Sequence, residues 1–132
     1  MTSLDPLFLF PSAVRHDPAI DAWISAQEHD LGAMALTWFT QMRRCGADIR
    51  ELMHDGCPVA CVDEVAFAYV NVFRSHMNVG FYFGAYLDDP ADLLSGTGKR
   101  MRHVKVKPGM ENAVALRHLI EDAYADARRR LP

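Results

Sequence analysis

The amino-acid sequence predicts one α+β domain in which a small antiparallel sheet packs against helices. Helical patterning fills the first 56 residues, β-branched and aromatic residues dominate from Val65 onward, and a helical period returns from about Glu111. Strands and helices do not alternate along the chain, which argues against a doubly wound parallel sheet. We therefore expect a hairpin and a third strand, flanked by N-terminal helices and a C-terminal amphipathic helix.

We predict that residues 1–132 form a single domain with three parts: a surface arm over 1–16, a helical part over 17–56, and the sheet and last helix over 57–132. The size suits one domain with its own core. Asp17-Pro18 is a good helix start, because Asp caps and Pro suits the first helical position. Gly32 is expected to break or bend that helix.

A second helix is expected to present one apolar face and to stop near Gly46. Asp48 and Glu51 then have the spacing of a capping box, which predicts a short third helix that ends at Gly56. The inward residues predicted for these two helices are Ala35, Trp38, Phe39 and Met42, followed by Ile49, Leu52 and Met53.

Two runs, Val65 to Phe73 and Val79 to Leu87, are predicted strands joined by a five-residue loop. A symmetric hairpin would pair Tyr69 with Phe83 and leave one bulky core face. The other face would be small and would carry two glycines and two tyrosines: Ala66, Ala68, Val70, Val72, Gly80, Tyr82, Gly84 and Tyr86. A helix of the same chain, a second subunit or a ligand could occupy that face.

The rest of the chain is predicted to hold a short helical turn from Asp88, a third strand over Met101 to Lys107, and the last helix. In the third strand Val104 and Val106 would point inward, while His103, Lys105 and Lys107 would point outward. The inward stripe predicted for the last helix consists of Leu116, Leu119, Ile120, Ala123 and Ala127.

Composition excludes several classes of protein. A net charge of −3 argues against general affinity for nucleic acid, which needs a strongly basic face. No stretch approaches the length of apolar residues that a membrane span requires. Three irregularly spaced cysteines do not form a disulfide framework, so we expect a reduced, cytoplasmic protein.

The charge is unevenly placed, because five of the 14 lysines and arginines and none of the 17 acidic residues lie between Gly96 and Lys107. Two arginines there could grip carboxylate or phosphate oxygens in a fork, which predicts an anion site. The alternative is a solvated strand whose lysines prevent edge aggregation. The candidate ligand-binding residues are Lys99, Arg100, Arg102, His103, Lys105, Tyr82, Tyr86 and Asn71. Asn71 is either a satisfied core amide or a polar anchor in a pocket.

Other motifs in the sequence do not indicate a nucleotide, metal or catalytic site. Gly96-Thr-Gly-Lys99 resembles part of a phosphate loop, but Leu93 and Arg100 stand where that signature needs Gly and Ser or Thr. His54, Cys57 and Cys61 are close in sequence, yet no fourth metal ligand follows at a known spacing. No nucleophile–base pair or carboxylate pair stands out, so no catalytic residue is predicted.

From Asp48 onward the chain resembles the DUF1801 family, which includes the YdhG-like proteins. The matching segments are His54-Asp-Gly-Cys-Pro58, Phe67-Ala-Tyr-Val-Asn-Val-Phe73, His76-Met-Asn-Val-Gly-Phe81, Gly84-Ala-Tyr-Leu-Asp-Asp-Pro90 and Leu94-Ser-Gly-Thr-Gly-Lys-Arg-Met-Arg-His-Val-Lys105. The resemblance implies a small α+β domain without an assigned activity. Some relatives are described as frataxin-like iron chaperones, so the resemblance implies iron binding as a rival function, although no cofactor is assigned. In this chain Asp88, Asp89 and Asp92 cluster and are weak candidate ligands.

Three functions follow as expectations. The first is a non-catalytic domain that binds a small anionic ligand or an acidic protein partner at the loop and strand over 96–107. The second is an iron-binding protein of the chaperone kind. The third is a homo-oligomer, in the simplest case a homodimer, built on the small-residue face of the hairpin.

Overall fold

A computed structural model describes residues 6–132, which contain three α-helices, one short 3-10 helix and a six-stranded antiparallel sheet. The helices are α1 (Pro18–Ser25), α2 (His29–Arg43) and α3 (Ala113–Arg130), and the 3-10 helix covers Gly84–Tyr86. The strands are β1 (Ile49–His54), β2 (Cys57–Val62), β3 (Val65–Val72), β4 (Met77–Phe81), β5 (Leu94–Ser95) and β6 (Arg102–Val106). Their order in the sheet is β1-β2-β3-β4-β6-β5. The predicted α+β class with flanking helices is confirmed.

Helices α1 and α2 begin where side chains cap them. The Asp17 carboxylate accepts a hydrogen bond from the Ala19 amide at 3.0 Å, as predicted. Glu28 caps α2 by accepting from the amides of Asp30 and Leu31. The break between the helices therefore lies before Gly32, which sits in the first turn of α2. A Cβ there would lie 3.0 Å from the Ile24 carbonyl oxygen, so glycine serves the close approach of the two helices.

The prediction of a short helix over 48–56 is wrong. The helical part was predicted to end at Gly56, but the last N-terminal helix ends at Arg43. The segment is strand β1, which pairs with β2 from Ile49↔Val62 to His54↔Cys57. Asp55 and Gly56 join the strands with φ values of 50° and 74°. An Asp-Gly pair with positive φ at both positions is the preferred two-residue hairpin turn, and this signal outweighs the capping-box spacing.

The hairpin of β3 and β4 forms, but its register differs from the symmetric one. Tyr69 pairs with Gly80 and not with Phe83, and Val72 pairs with Met77. The loop is tight, because the Phe73 amide donates to the His76 carbonyl at 2.8 Å. The second strand also ends at Phe81, where the chain turns into the 3-10 helix. This shift by an odd number of residues changes which side chains of the two strands share a face.

Helices α2 and α3 pack on one face of the sheet, which holds the main core. Ala68 and Val70 of β3 are fully buried there, so a helix of the same chain covers this part of the predicted small-residue face. The remaining part, with Ala66 and Tyr82, belongs to a second core on the opposite face. A dimer that used the part of this face with Ala68 and Val70 would have to displace α2 and α3. The predicted inward stripe of α3 is confirmed, since all five of its residues are buried.

The second face of the sheet is partly covered by the chain before α1, here called the arm (Leu7–Val14). The Phe8 carbonyl accepts from the Ala66 amide at 2.9 Å, and the Phe10 amide donates to Glu64. Further along, Val14 bridges Glu51 at the outer edge of β1. The second core is lined by Phe8, Phe10, Ala13, Leu52, Val59, Cys61, Ala66, Tyr82 and Phe83. The surface arm was predicted over 1–16, of which residues 1–5 lie outside the described part.

The chain between the 3-10 helix and β6 differs from the expected helical turn after Asp88. The Asp89 carboxylate accepts hydrogen bonds from the amides of Leu93 and Leu94, and Asp92 has a φ of 55°. This bonding turns the chain sharply into the two-residue strand β5. No helix in the described 127-residue stretch (6–132) is long and apolar enough to cross a membrane.

Candidate binding surface

The two arginines predicted to grip an anion are held by the protein itself. Arg100 donates to the Pro6 carbonyl at 2.7 Å, and its guanidinium lies 4.4 Å from the centre of the Phe8 ring. Arg102 donates to the carbonyls of Met101, at 2.7 Å, and Gly98. One arginine thus fixes the arm and the other folds back on its own loop, so they do not converge on a shared anion position.

The two tyrosines of the predicted site also lie elsewhere. Tyr82 is buried in the second core, 4.9 Å from Phe8 and 5.7 Å from Tyr69 between ring centres, and burial raises its pKa. Tyr86 is half-exposed in the 3-10 helix, with the Arg130 guanidinium 4.9 Å from its ring centre. Lys99 is exposed in the loop before β6. The predicted residues are therefore divided between the arm side, the loop and the sheet.

The register instead gathers a different group on the second face, in the part formed by β3, β4 and β6. Gly80 pairs with both Tyr69 and His103, and Asn78 pairs with both Asn71 and Lys105. Strand alternation adds a third row just past the strand ends, with Phe73, His76 and Lys107. We call this surface the open face and define it by Tyr69, Asn71, Phe73, His76, Asn78, Gly80, His103, Lys105 and Lys107.

The Tyr69 ring lies flat across Gly80. A Cβ at Gly80 would sit 2.0 Å from two ring atoms of Tyr69, so this packing requires glycine. An aromatic ring over a cross-strand glycine covers exposed backbone and fixes the register of the pair. The predicted role of strand glycine as a point of close approach is thus fulfilled by a side chain of the same sheet.

Asn71 and Asn78 lie side by side in the middle of the open face. The Asn71 side-chain oxygen accepts from the Val72 amide at 2.9 Å, so this acceptor is satisfied locally. The Asn78 side-chain oxygen is buried and has no hydrogen-bond partner within the described chain. Both residues are only half-buried, which leaves polar groups at the surface between Tyr69 and the lysines.

The charge on the open face is positive along β6. Lys105 and Lys107 are exposed, His103 is half-buried, and none of the residues that define the face is acidic. The pKa of His76 is lowered by burial and by the nearby positive charges of Lys105, Lys107 and His103. At the far end the His76 ring stacks on Phe73, with ring centres 4.8 Å apart and planes 13° from parallel.

The acidic residues considered for iron do not form a ligand group. Asp89 uses both carboxylate oxygens for backbone amides, at 2.9 Å and 2.8 Å. Within residues 6–132 no three His, Cys, Asp or Glu side chains are grouped as a metal ion requires. Cys61, considered with His54 and Cys57, is fully buried, and burial raises the pKa of its thiol to about 12. The geometry therefore gives iron no support.

Glu51 is a buried polar residue whose role the sequence did not reveal. Its carboxylate accepts two hydrogen bonds from Arg43, at 2.7 Å and 2.8 Å, and one from the Asp17 amide at 2.9 Å. Arg43 also contacts Asp21, which pairs with His16 at 2.8 Å. This cluster joins the chain before α1, both N-terminal helices and β1. Every Glu51 oxygen is occupied, so the cluster is structural.

Comparison with known proteins adds no relative: no family model, no curated protein and no solved structure matches this chain. The resemblance to the DUF1801 family therefore stays a prediction, and the open face is the feature of the structure that indicates a function.

Proposed function

We propose that this protein is a binding module that recognises an acidic segment of a protein partner through the open face. The observation that carries the proposal is the sheet register, which lines up His103, Lys105 and Lys107 beside a polar and aromatic surface without acidic residues. Complementary charge of this kind steers a partner and sets specificity more than raw affinity.

The spacing of the basic groups favours a polypeptide over a single small anion. Lys105 lies in β6 and Lys107 directly follows its last residue, so the two lysines are two positions, or about 7 Å of extended chain, apart. Side chains in such a row match carboxylates repeated along a chain. A small anion is better held by groups that converge, and the two arginines that could have converged are engaged with backbone carbonyls. The net charge of −3 disfavours nucleic acid as the partner.

Poly-L-glutamate is the probe for this proposal, with binding measured by calorimetry and by backbone amide shifts at low and physiological salt. We expect saturable, salt-sensitive binding with shifts centred on β4 and β6. Lys105→Glu should weaken it at least tenfold, because charge reversal places an acid in the middle of the open face.

Arg117→Glu provides the matched control, since Arg117 is exposed on α3 and the substitution changes the net charge equally. The control should retain the wild-type affinity. Equal losses in the two variants would reduce the effect to net charge and contradict the proposal. Tighter binding of an oligothymidylate than of poly-L-glutamate would also overturn it in favour of single-stranded nucleic acid.

A further inference from the structure

The outer edge of β6 is only partly paired. On its inner side β6 pairs with β4 along its whole length, from Phe81↔Arg102 to Met77↔Val106. On its outer side β5 pairs with His103 and Val104 alone. In the part of the chain that the structure describes, Lys105 and Val106 therefore have a strand neighbour on one side only.

The turn before β5 leaves this edge open. An antiparallel strand one residue longer would place Leu93 beside Lys105, but the Leu93 amide is bonded to the Asp89 carboxylate at 2.9 Å. The Leu94 amide is bonded to the same carboxylate at 2.8 Å. Leu94 still pairs with Val104, so the bond of the Leu93 amide to Asp89 is the one that diverts the chain from β6 and keeps β5 short.

A groove of about 540 Å³ runs along the open edge, within the size range of ligand sites. Its lining includes two lysines and two acidic residues together with apolar and small polar groups: Lys105, Lys107, Asp92, Glu111, Leu93, Met110 and Ser95. The edge from Lys105 to Lys107 is about 7 Å long, which suits three residues of extended chain.

We infer that the acidic partner segment docks in this groove as an additional strand paired with β6. This inference rests on the proposed function and specifies how the partner is held. An added strand would satisfy open backbone groups of the edge through main-chain hydrogen bonds, while its side chains would provide specificity. Strand addition brings the partner beside the open face without moving any element of the fold.

Alternation along an added strand defines the pattern of the partner segment. Residues beside Lys105 and Lys107 would point to the open face and should be acidic. The residue between them, beside Val106, would point to the helix side. There a second cavity of about 130 Å³ is lined by Met34, Trp38, Val106 and Met110 among others, and it suits an apolar side chain. The expected segment therefore reads acidic–apolar–acidic.

A second copy of this chain fits the same edge poorly. Antiparallel pairing of two β6 edges would bring the lysines of one copy near the lysines of the other, and like charges on neighbouring strands are destabilising. The lysines thus disfavour a second copy at an edge that could otherwise pair with any extended chain, while their side chains on the open face attract an acidic strand.

The test uses the peptide acetyl-Glu-Val-Glu-Val-Glu-amide and two analogues, one N-methylated at its glutamates and one at its valines. All three carry the same charge, but each analogue loses the N–H groups that point to one side of an extended strand. We expect the parent peptide to bind with new protection of the Lys105 and Lys107 amides against hydrogen exchange, because the Val106 amide already faces β4. One of the two analogues should bind at least tenfold more weakly.

The outcomes separate this inference from the proposed function. Equal affinity of the parent and both analogues would mean that charge alone attracts the peptide, which overturns strand addition and leaves the proposed function intact. Binding of poly-L-glutamate at β4 and β6 without binding of the parent peptide would also overturn strand addition and leave the proposed function intact. A dimer seen by sedimentation of the protein alone, with those amides already protected, would assign the edge to a second copy and overturn the inference.

Discussion

At the scale of single residues, Glu51 shows how one buried charge can hold several elements. Its side chain is 1% exposed, whereas that of Arg43 is 22% exposed. The buried carboxylate has lost its contacts with water, and hydrogen bonds from Arg43 replace most of them. Arg43 supplies two charge-assisted hydrogen bonds to it. The pKa of the Arg43 guanidinium is raised mainly by its hydrogen bonds to Glu51, whereas burial acts to lower it.

Arg43→Ala should destabilise the protein by about 3–5 kcal/mol, because it leaves the Glu51 carboxylate buried without a counter-charge. Urea unfolding followed by circular dichroism measures the change. The neighbouring exposed residue supplies the control, and Arg44→Ala should stay within about 0.5 kcal/mol of wild type. The double variant Arg43→Met/Glu51→Met should recover much of the loss. A cost below about 1 kcal/mol for Arg43→Ala would show that Glu51 does not need its partner.

At the scale of elements, the arm completes the domain from the side opposite the helices. It crosses from β3, where Phe8 bonds Ala66, to the outer edge of β1, where Val14 pairs with Glu51. Arg100 fastens its beginning through the Pro6 carbonyl and the Phe8 ring. Arg100 was predicted to bind ligand, which stays a prediction, and its contacts in the structure attach the arm.

Arg100→Ala should loosen the arm without weakening the binding of poly-L-glutamate. Native-state hydrogen exchange should show faster exchange at the Phe10 amide, which bonds Glu64, and unchanged exchange in β4 and β6. Arg117→Ala on the outside of α3 should change neither quantity. A tenfold loss of poly-L-glutamate affinity in Arg100→Ala would return this arginine to the binding surface.

Elements with a strong local signal were predictable, and those set by pairing were not. The Asp17 cap, the stripe of α3 and the alternation of β6 depend on neighbouring residues, and all three are confirmed. Strand β1 was missed because Asp48 and Glu51 imitate a capping box, although Asp55-Gly56 gave the hairpin signal. The register of Tyr69 with Gly80 depends on a tight loop and on ring packing that a symmetric hairpin does not capture.

The open face, which is the proposed binding surface, was predictable only in part for the same reason. His103, Lys105 and Asn71 are members of the open face, and alternation along β6 correctly turned the two basic residues outward. Arg100, Arg102, Tyr82 and Tyr86 were separated from them by contacts over long sequence distances. His76 and Phe73 joined the face through the register, which no local pattern of the sequence fixes.

At the scale of the whole molecule, the two faces of the sheet differ in what covers them. The helix side holds the main core, in which Phe39, Phe67 and Phe81 are among the largest fully buried side chains. The other side is divided between the arm, which closes the second core, and the open face, which stays accessible. One rigid sheet thus supports both stability and the proposed binding surface.

The affinity for poly-L-glutamate should rise as the pH falls from 8 to 5.5. The lowered pKa of His76 means that its proton is taken up mainly below pH 6.5, and an acidic partner stabilises the protonated form. In the free protein, protonation of His76 has the opposite effect, because it lowers the stability against unfolding as the pH falls. Unfolded His76 binds its proton at a higher pH than folded His76, so its contribution to stability is present above pH 6.5 and declines as the pH falls.

Calorimetric titrations across this pH range measure the effect, and His76→Gln is the comparison. The variant should retain the affinity seen at pH 8 and show a weaker rise toward pH 5.5. Identical pH profiles for the two proteins would exclude His76 from the interaction.

The long-range attachment of the arm also sets the order in which this protein can be completed during translation. Arg100 lies 94 positions after Pro6, so the arm leaves the ribosome long before the side chain that fastens it exists. Until then Val59 and Cys61 lack their final cover, although β1, β2 and β3 can already pair as successive hairpins. The second core therefore gains this attachment only late in synthesis, when apolar surface that is not yet covered makes an incomplete chain prone to aggregation.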